Sequence, residues 1–267
     1  MTPLRTLLAT LVALPALVCS GLAQADVIQQ PVTLPDGQGT GVLFINADQS
    51  RITAGVIIVH ERWGLDQYAR DRARMLAEEG YEALAVDVYG NGEVAGHPDD
   101  AEQMVKQALA QPQVVKERFD AAKSILRDQQ YVDDKRIFAI GYGFGGGIVM
   151  DMVRQGEDLA GAAVFSAPLA AAPPFDTPLQ EGTFKGRLFI AAGLSDKLVP
   201  RAQIDALVNE LTAANVSFEL LTFPGAQHAF TNPKADEYGR RFDLPLKYDP
   251  GADRTSWQAL LDFIDHT

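Results

Sequence analysis

The sequence is poor in the groups that most often carry chemistry. It has one cysteine, Cys19, four histidines and two tryptophans in 267 residues. Cys19 falls inside an apolar N-terminal stretch that reads as a leader, so the chain that follows is expected to hold no thiol. That excludes a disulfide framework, a cysteine nucleophile and any zinc site built on thiolates. No run of basic residues occurs and the formal net charge is −12, so nucleic acid is excluded as an expected partner. No apolar run approaches the roughly 20 residues a membrane-spanning helix needs, and no stable membrane anchor is expected. No internal repeat, low-complexity tract, metal-ligand spacing or cofactor motif is present.

The leader itself is short. Arg5 is the only charge before Asp26, Leu7 to Val18 is apolar, and Ala23-Gln24-Ala25 is a small-x-small cleavage signal. Residues 1–25 therefore read as a secretory signal peptide cut after Ala25, with a periplasmic or secreted destination. A lipoprotein reading through Cys19 is weak, because Val18 rather than a small residue precedes it. Residues 26–267 are long enough for one α/β domain with a substantial core.

Short apolar runs alternate with amphipathic stretches. Val27–Leu34 and Gly41–Asn46 flank the turn signal Pro35-Asp36-Gly37 as an opening hairpin. Strands are expected at 55–60, 83–87, 136–140, 162–166, 188–192 and 218–223, and helices at 66–80, 99–110, 114–129, 148–153, 202–214 and 255–264. Residues 170–178 read as a Pro- and Ala-rich loop, and 232–251 as irregular chain that could form a lid. Strands alternating with helices imply a mostly parallel sheet covered on both faces. In such sheets ligands bind beyond the carboxyl ends of the strands. Four strand ends stand out there: Glu61, Gly143, Asp196 and His228.

The run Arg136–Ile140 breaks into Gly141-Tyr142-Gly143-Phe144-Gly145-Gly146-Gly147 and resumes as an apolar helix. Strand, tight turn and helix is the setting of Gly-x-nucleophile-x-Gly, the nucleophile elbow. Gly141 and Gly145 occupy the flanking positions, but the centre is Gly143, which has no side chain to attack anything. Asp196 and His228 follow in the order acid, then base. Asp196 also fits a helix cap before Leu198-Val199-Pro200, and His228 fits a loop histidine; their order and setting favour a charge-relay pair. Gly141, Gly143 and Gly146 formally match a dinucleotide fingerprint. That reading is weak, because the next strand ends in Phe165-Ser166 rather than an acid.

These motifs together resemble the dienelactone hydrolase family: Gly-Tyr-x-Phe-Gly-Gly at 141–146, His60-Glu61-Arg62-Trp63-Gly64, Gly193-Leu194-Ser195-Asp196, Gly-Ala-Gln-His-Ala-Phe-Thr-Asn-Pro at 225–233, and Tyr-Asp-Pro-Gly-Ala-Asp-Arg-Thr-Ser-Trp at 248–257. The match extends from about Val27 to the C-terminus and is similar to the secreted branch of that family. The resemblance implies an α/β-hydrolase fold, no cofactor, and a small-molecule ester or lactone as substrate. It implies a cysteine where Gly143 stands, a thiol-activating role for Glu61, and backbone oxyanion donors at Phe144 and Arg62. It implies that Asp196 and His228 complete the triad. Arginines that grip the substrate carboxylate in dienelactone-cleaving members align with Asn91 and Asn232 here, so those two, with Trp63 and Tyr89, are candidate pocket residues. The missing nucleophile leaves three routes: direct attack by water, a stand-in serine at Ser166 or Ser195, or a non-catalytic protein that binds a small molecule or partner. Residue patterns leave the oligomeric state open.

Overall fold

The computed structural model describes residues 26–37, 39–171 and 177–267. The expected leader and residues 172–176 of the expected 170–178 loop lie outside the described residues.

One eight-stranded sheet runs through the molecule in the order β1-β2-β4-β3-β5-β6-β7-β8. β1 (Val27–Thr33) and β2 (Thr40–Asn46) pair antiparallel, as do β2 and β4 (Glu82–Val86). The remaining pairs, from β3 (Thr53–Val59) through β5 (Val132–Tyr142), β6 (Gly161–Phe165) and β7 (Arg187–Gly193) to β8 (Phe218–Phe223), are parallel. This is the α/β-hydrolase architecture.

The inner strands β3, β4, β6 and β7 are near-continuous apolar runs because both of their faces are covered. Ile57, Val59, Ile137 and Ala139 point into one core, beneath α3 (Pro112–Arg127), α4 (Phe144–Arg154) and α5 (Arg201–Ala213). Val56, Ile58, Phe138 and Ile140 point into the other, beneath α1 (Gln67–Glu78) and α7 (Pro250–Asp265). Alternate residues on one strand thus feed two cores. Asp66 caps α1, its Oδ1 accepting the Ala69 N–H at 3.2 Å. Pro98, Pro112 and Pro250 open α2 (Pro98–Leu109), α3 and α7, where a missing N–H costs nothing.

From β3 the chain crosses to β4 on one side, and the next parallel strand, β5, returns to the other side of β3. The order reverses between β3 and β5, so the crevice at their carboxyl ends is the topological switch point. Glu61 follows the first of these strands and Gly143 the second.

Two expectations are corrected. Residues 232–251 are not irregular throughout: α6 (Ala235–Phe242) forms there and α7 begins at Pro250. α6 is short, polar and interrupted by Gly239, so no helical stripe marks it in the sequence. Tyr238 and Phe242 hold it, one turn apart, against Trp63 at centroid distances of 4.5 and 6.3 Å. β5 also starts earlier than expected, at Val132, because Asp133, Asp134 and Lys135 mask an extended segment with charge.

Candidate active site

Gly143 sits at φ +50°, ψ −118°, a conformation that strains any residue carrying a Cβ. Its N–H is fixed by the Phe165 carbonyl at 2.9 Å. The turn is tight because its flanking glycines leave no room. A Cβ on Gly141 would lie 2.3 Å from the Gly145 carbonyl oxygen, and one on Gly145 would lie 2.3 Å from that of Val59. Gly143 itself is different. The nearest atoms to a Cβ there would be His228 Nε2 at 3.6 Å and Glu61 Oε1 at 3.7 Å. The apex of the turn therefore points at two proton acceptors.

His228 follows β8, and its Nδ1 is 2.8 Å from Asp196 Oδ2. The other Asp196 oxygen accepts the N–H groups of Leu198 at 2.7 Å and Val199 at 3.0 Å, so Asp196 caps its turn and holds the histidine together. With Nδ1–H donating to Asp196, Nε2 is left free to accept a proton on the Gly143 side. The loop is pinned from the far side: the Lys247 N–H donates to the His228 carbonyl at 3.1 Å, and Asp249 N–H to that of Phe230 at 2.9 Å.

Glu61 is buried beside Gly143. Burial, chiefly, pushes its carboxyl up to about 7, and Asp66 adds to the rise. A hydrogen bond from Asn232 and the charges of His228 and Arg72 oppose it. Asn232 Nδ2 donates to Glu61 Oε2 at 2.6 Å, and Asn232 is only 1% exposed. One carboxylate oxygen is thus tied to Asn232 while the other faces the elbow.

A cavity of about 320 Å³ opens over these groups. Glu61, Gly143 and His228 form its polar floor, and Trp63, Leu109, Phe144, Leu244 and Leu246 are among its apolar walls. Arg62 also lines it; its guanidinium carbon lies 6.0 Å from the Trp63 ring centroid and its Nε is buried without a hydrogen-bond partner. Phe144 is the first residue of α4, so its N–H lies outside the intrahelical ladder at the positive end of the helix.

Of the sequence-derived candidates, the structure brings Glu61, Arg62, Trp63, Gly143, Phe144 and His228 around one cavity, with Asp196 behind His228. Three pocket candidates stand elsewhere. Tyr89 lies behind the wall, stacked on Phe144 at 5.7 Å with its hydroxyl donating to the Arg62 carbonyl at 2.9 Å. Asn91 lines a separate cleft and donates to Glu93 at 2.8 Å. Asn232 lies beneath the floor, holding Glu61. Neither serine alternative reaches the cavity. Ser195 Oγ donates to the Pro224 carbonyl at 2.9 Å, and the Ser166 hydroxyl is buried with no hydrogen-bond partner. The walls supplied by Val105, Leu109, Leu244 and Leu246 are not among the sequence-derived candidates. The apolar face of α2 was the available signal for the first two. Among the described residues, no group of three or more His, Cys, Asp or Glu side chains could hold a metal ion, and no helix is long and apolar enough to cross a membrane.

The profile of the Dienelactone hydrolase family matches residues 40–267. Protein usf of Aquifex pyrophilus is 25% identical over 214 residues, covering 79% of this chain and 87% of its own length. A Synechocystis protein with the provisional name carboxymethylenebutenolidase is 26% identical over 187 residues, covering 66% and 74%. Among solved structures, m3DLH superposes with a TM-score of 0.81 at 30% identity over 90% of this chain and 98% of that one. A dienelactone hydrolase-like promiscuous phosphotriesterase from metagenomic libraries gives the same score and coverage at 27% identity.

Proposed function

The chain belongs to the dienelactone hydrolase family, and from that premise we propose that it is a slow hydrolase of small, uncharged carboxylic esters or lactones that activates water directly. The observation that carries this reading is the convergence of His228 Nε2 and Glu61 Oε1 on the space above Gly143, at 3.6 and 3.7 Å from the Cβ position. His228, oriented by Asp196, takes a proton from water as the oxygen attacks the acyl carbon, and returns it to the departing alkoxide. Glu61 shares the water's second hydrogen through Oε1. The N–H groups of Phe144 and Arg62 receive the oxyanion. No acyl-enzyme forms, because Gly143 offers nothing to acylate.

The substrate class follows from the walls. They are mostly apolar, and the positions where the resemblance implies carboxylate-gripping arginines hold Asn91 and Asn232, neither of which lines the cavity. An uncharged acyl group fits such walls better than a carboxylate does. Family resemblance places a cysteine at residue 143, and loss of a triad nucleophile can cost about 10⁶ in kcat while leaving roughly 10³–10⁴ over water. Glycine in exchange relieves the elbow's backbone strain. For location, residues 1–25 are proposed as an export signal cleaved after Ala25, which Edman sequencing of the exported chain tests.

The experiment is hydrolysis of 4-nitrophenyl butyrate by the natural chain, Gly143→Cys and His228→Ala. Activity of the natural chain above background that His228→Ala abolishes supports water activation. A natural chain indistinguishable from His228→Ala, beside an active Gly143→Cys, overturns it and leaves a binding protein with a disarmed site.

A further inference from the structure

The space above Gly143 has the chemistry to use a nucleophile that the chain does not carry. We propose that the site accepts a small neutral thiol beside Gly143 and transfers the acyl group of its ester substrate to that thiol. This rests on the reading that the cavity processes esters.

Three observations carry it. First, a Cβ on Gly143 meets no atom closer than 3.6 Å, so the apex is open on the side that faces the reacting groups, whereas both flanking glycines are blocked by backbone. Second, the nearest atoms across that opening are His228 Nε2 and Glu61 Oε1 and Cγ, so an S–H placed there points at an imidazole already oriented by Asp196. Third, the approach is mostly apolar: Trp63, Leu109, Phe144, Leu244 and Leu246 line the cavity, and Arg62 is a cation on the same lining. A neutral thiol crosses such walls without desolvating a charge, whereas an ammonium or a preformed thiolate does not.

Acidity favours a thiol over water as the group to be activated. Water is far less acidic than a cysteine-like thiol, whose pKa is roughly 8.5. Proton transfer to the His228 imidazole is therefore far less uphill from the thiol.

The step balances without an oxidant or reductant. The sulfur attacks the acyl carbon as His228 takes the S–H proton, and the carbonyl electrons move onto the oxygen facing the Phe144 and Arg62 N–H groups. The intermediate then collapses. The C–S bond remains, the C–O bond to the leaving group breaks, and the proton passes from His228 to the departing oxygen. Ester and thiol become thioester and alcohol.

The test uses the purified full chain, 4-nitrophenyl butyrate and ethanethiol, following nitrophenol release and S-ethyl thiobutyrate by mass spectrometry. The expected result is thioester formation that saturates with ethanethiol, at least tenfold faster than with His228→Gln at the same thiol concentration. The anionic thiol 2-mercaptoethanesulfonate should give less than a tenth of that rate. Gly143→Cys should hydrolyse the ester with no saturable dependence on thiol, because its own sulfur fills the opening. A natural chain whose thiol-dependent rate is linear and equal to that of His228→Gln overturns the proposal. If Gly143→Cys is then active, only the thiol inference fails. If it is folded by circular dichroism and also inactive, the ester reading fails with it.

Discussion

Glu61 is the residue whose environment most constrains what the site can do. Its native carboxyl is held up at about 7 by burial, against 4.5 for the exposed group. Between these values the native state keeps a proton that the unfolded chain releases. Stability attributable to this residue is therefore fully present below about 4.5 and falls as pH rises towards 7. Above that, a buried carboxylate persists at a cost on the order of 3 kcal/mol, taking 1.36 kcal/mol per pH unit. Glu61→Gln should accordingly raise the urea midpoint at pH 8 and leave it unchanged at pH 4. An equal gain at both values would show packing rather than charge at work. Asn232 acts in the opposite sense, since its 2.6 Å hydrogen bond lowers the Glu61 pKa. Asn232→Leu should push the Glu61 inflection of the pH–rate profile upward from about 7, and an unmoved inflection would mean that Glu61 is not the titrating group. Both tests act on a contact between residues 171 positions apart, which explains why the sequence offers Asn232 as a pocket residue and gives no hint that it lies beneath Glu61.

At the scale of the elements, the elbow separates glycines needed for folding from one that is not. A Cβ on Gly141 or Gly145 would lie 2.3 Å from a backbone oxygen, and neither strand nor helix can yield without breaking its own ladder. Gly141→Ala and Gly145→Ala should each cost at least about 3 kcal/mol, the upper range for overpacking, and yield little soluble protein. Gly143→Ala has space and faces only the backbone penalty of about 1–3 kcal/mol at positive φ. It should fold with a modestly lowered melting temperature; a collapse as severe as that of Gly145→Ala would contradict the geometry. The same elements show what a sequence makes legible. β3, β5 and β7 announce themselves as apolar runs because helices cover both faces, and their ends place Glu61, Gly143 and Asp196 in advance. α6 is hidden because its stability comes from Tyr238 and Phe242 meeting Trp63, a contact between distant segments rather than a local pattern. For the same reason the walls from Leu244 and Leu246 are invisible before the fold is known.

Across the whole molecule, one buried cation ties the early chain to the late chain. Arg72 on α1 donates through Nη2 to the Thr231 carbonyl at 2.5 Å and to Asp253 on α7 at 2.5 Å. The rings of Tyr68, Tyr142 and Trp257 lie within 6 Å of its guanidinium carbon. Asp253 also accepts from the Tyr248 hydroxyl at 3.0 Å, so its carboxylate is held by one group before His228 in the chain and one after it. Thr231 is three residues after His228, and Asn232 follows it. Arg72 therefore braces, from beneath, the segment that places both His228 and the partner of Glu61. Replacing it with Leu leaves Asp253 buried without its cation, and breaking a buried pair from one side costs about 3–5 kcal/mol. The double variant Arg72→Leu with Asp253→Asn removes the stranded charge as well, and should recover at least half of that loss in urea unfolding. Catalysis should behave differently. The Thr231 carbonyl remains without its donor in both variants, so ester hydrolysis should stay low even where stability returns. If activity recovers in step with stability, Arg72 serves the fold alone, and the bracing of the His228 loop from α1 is wrong.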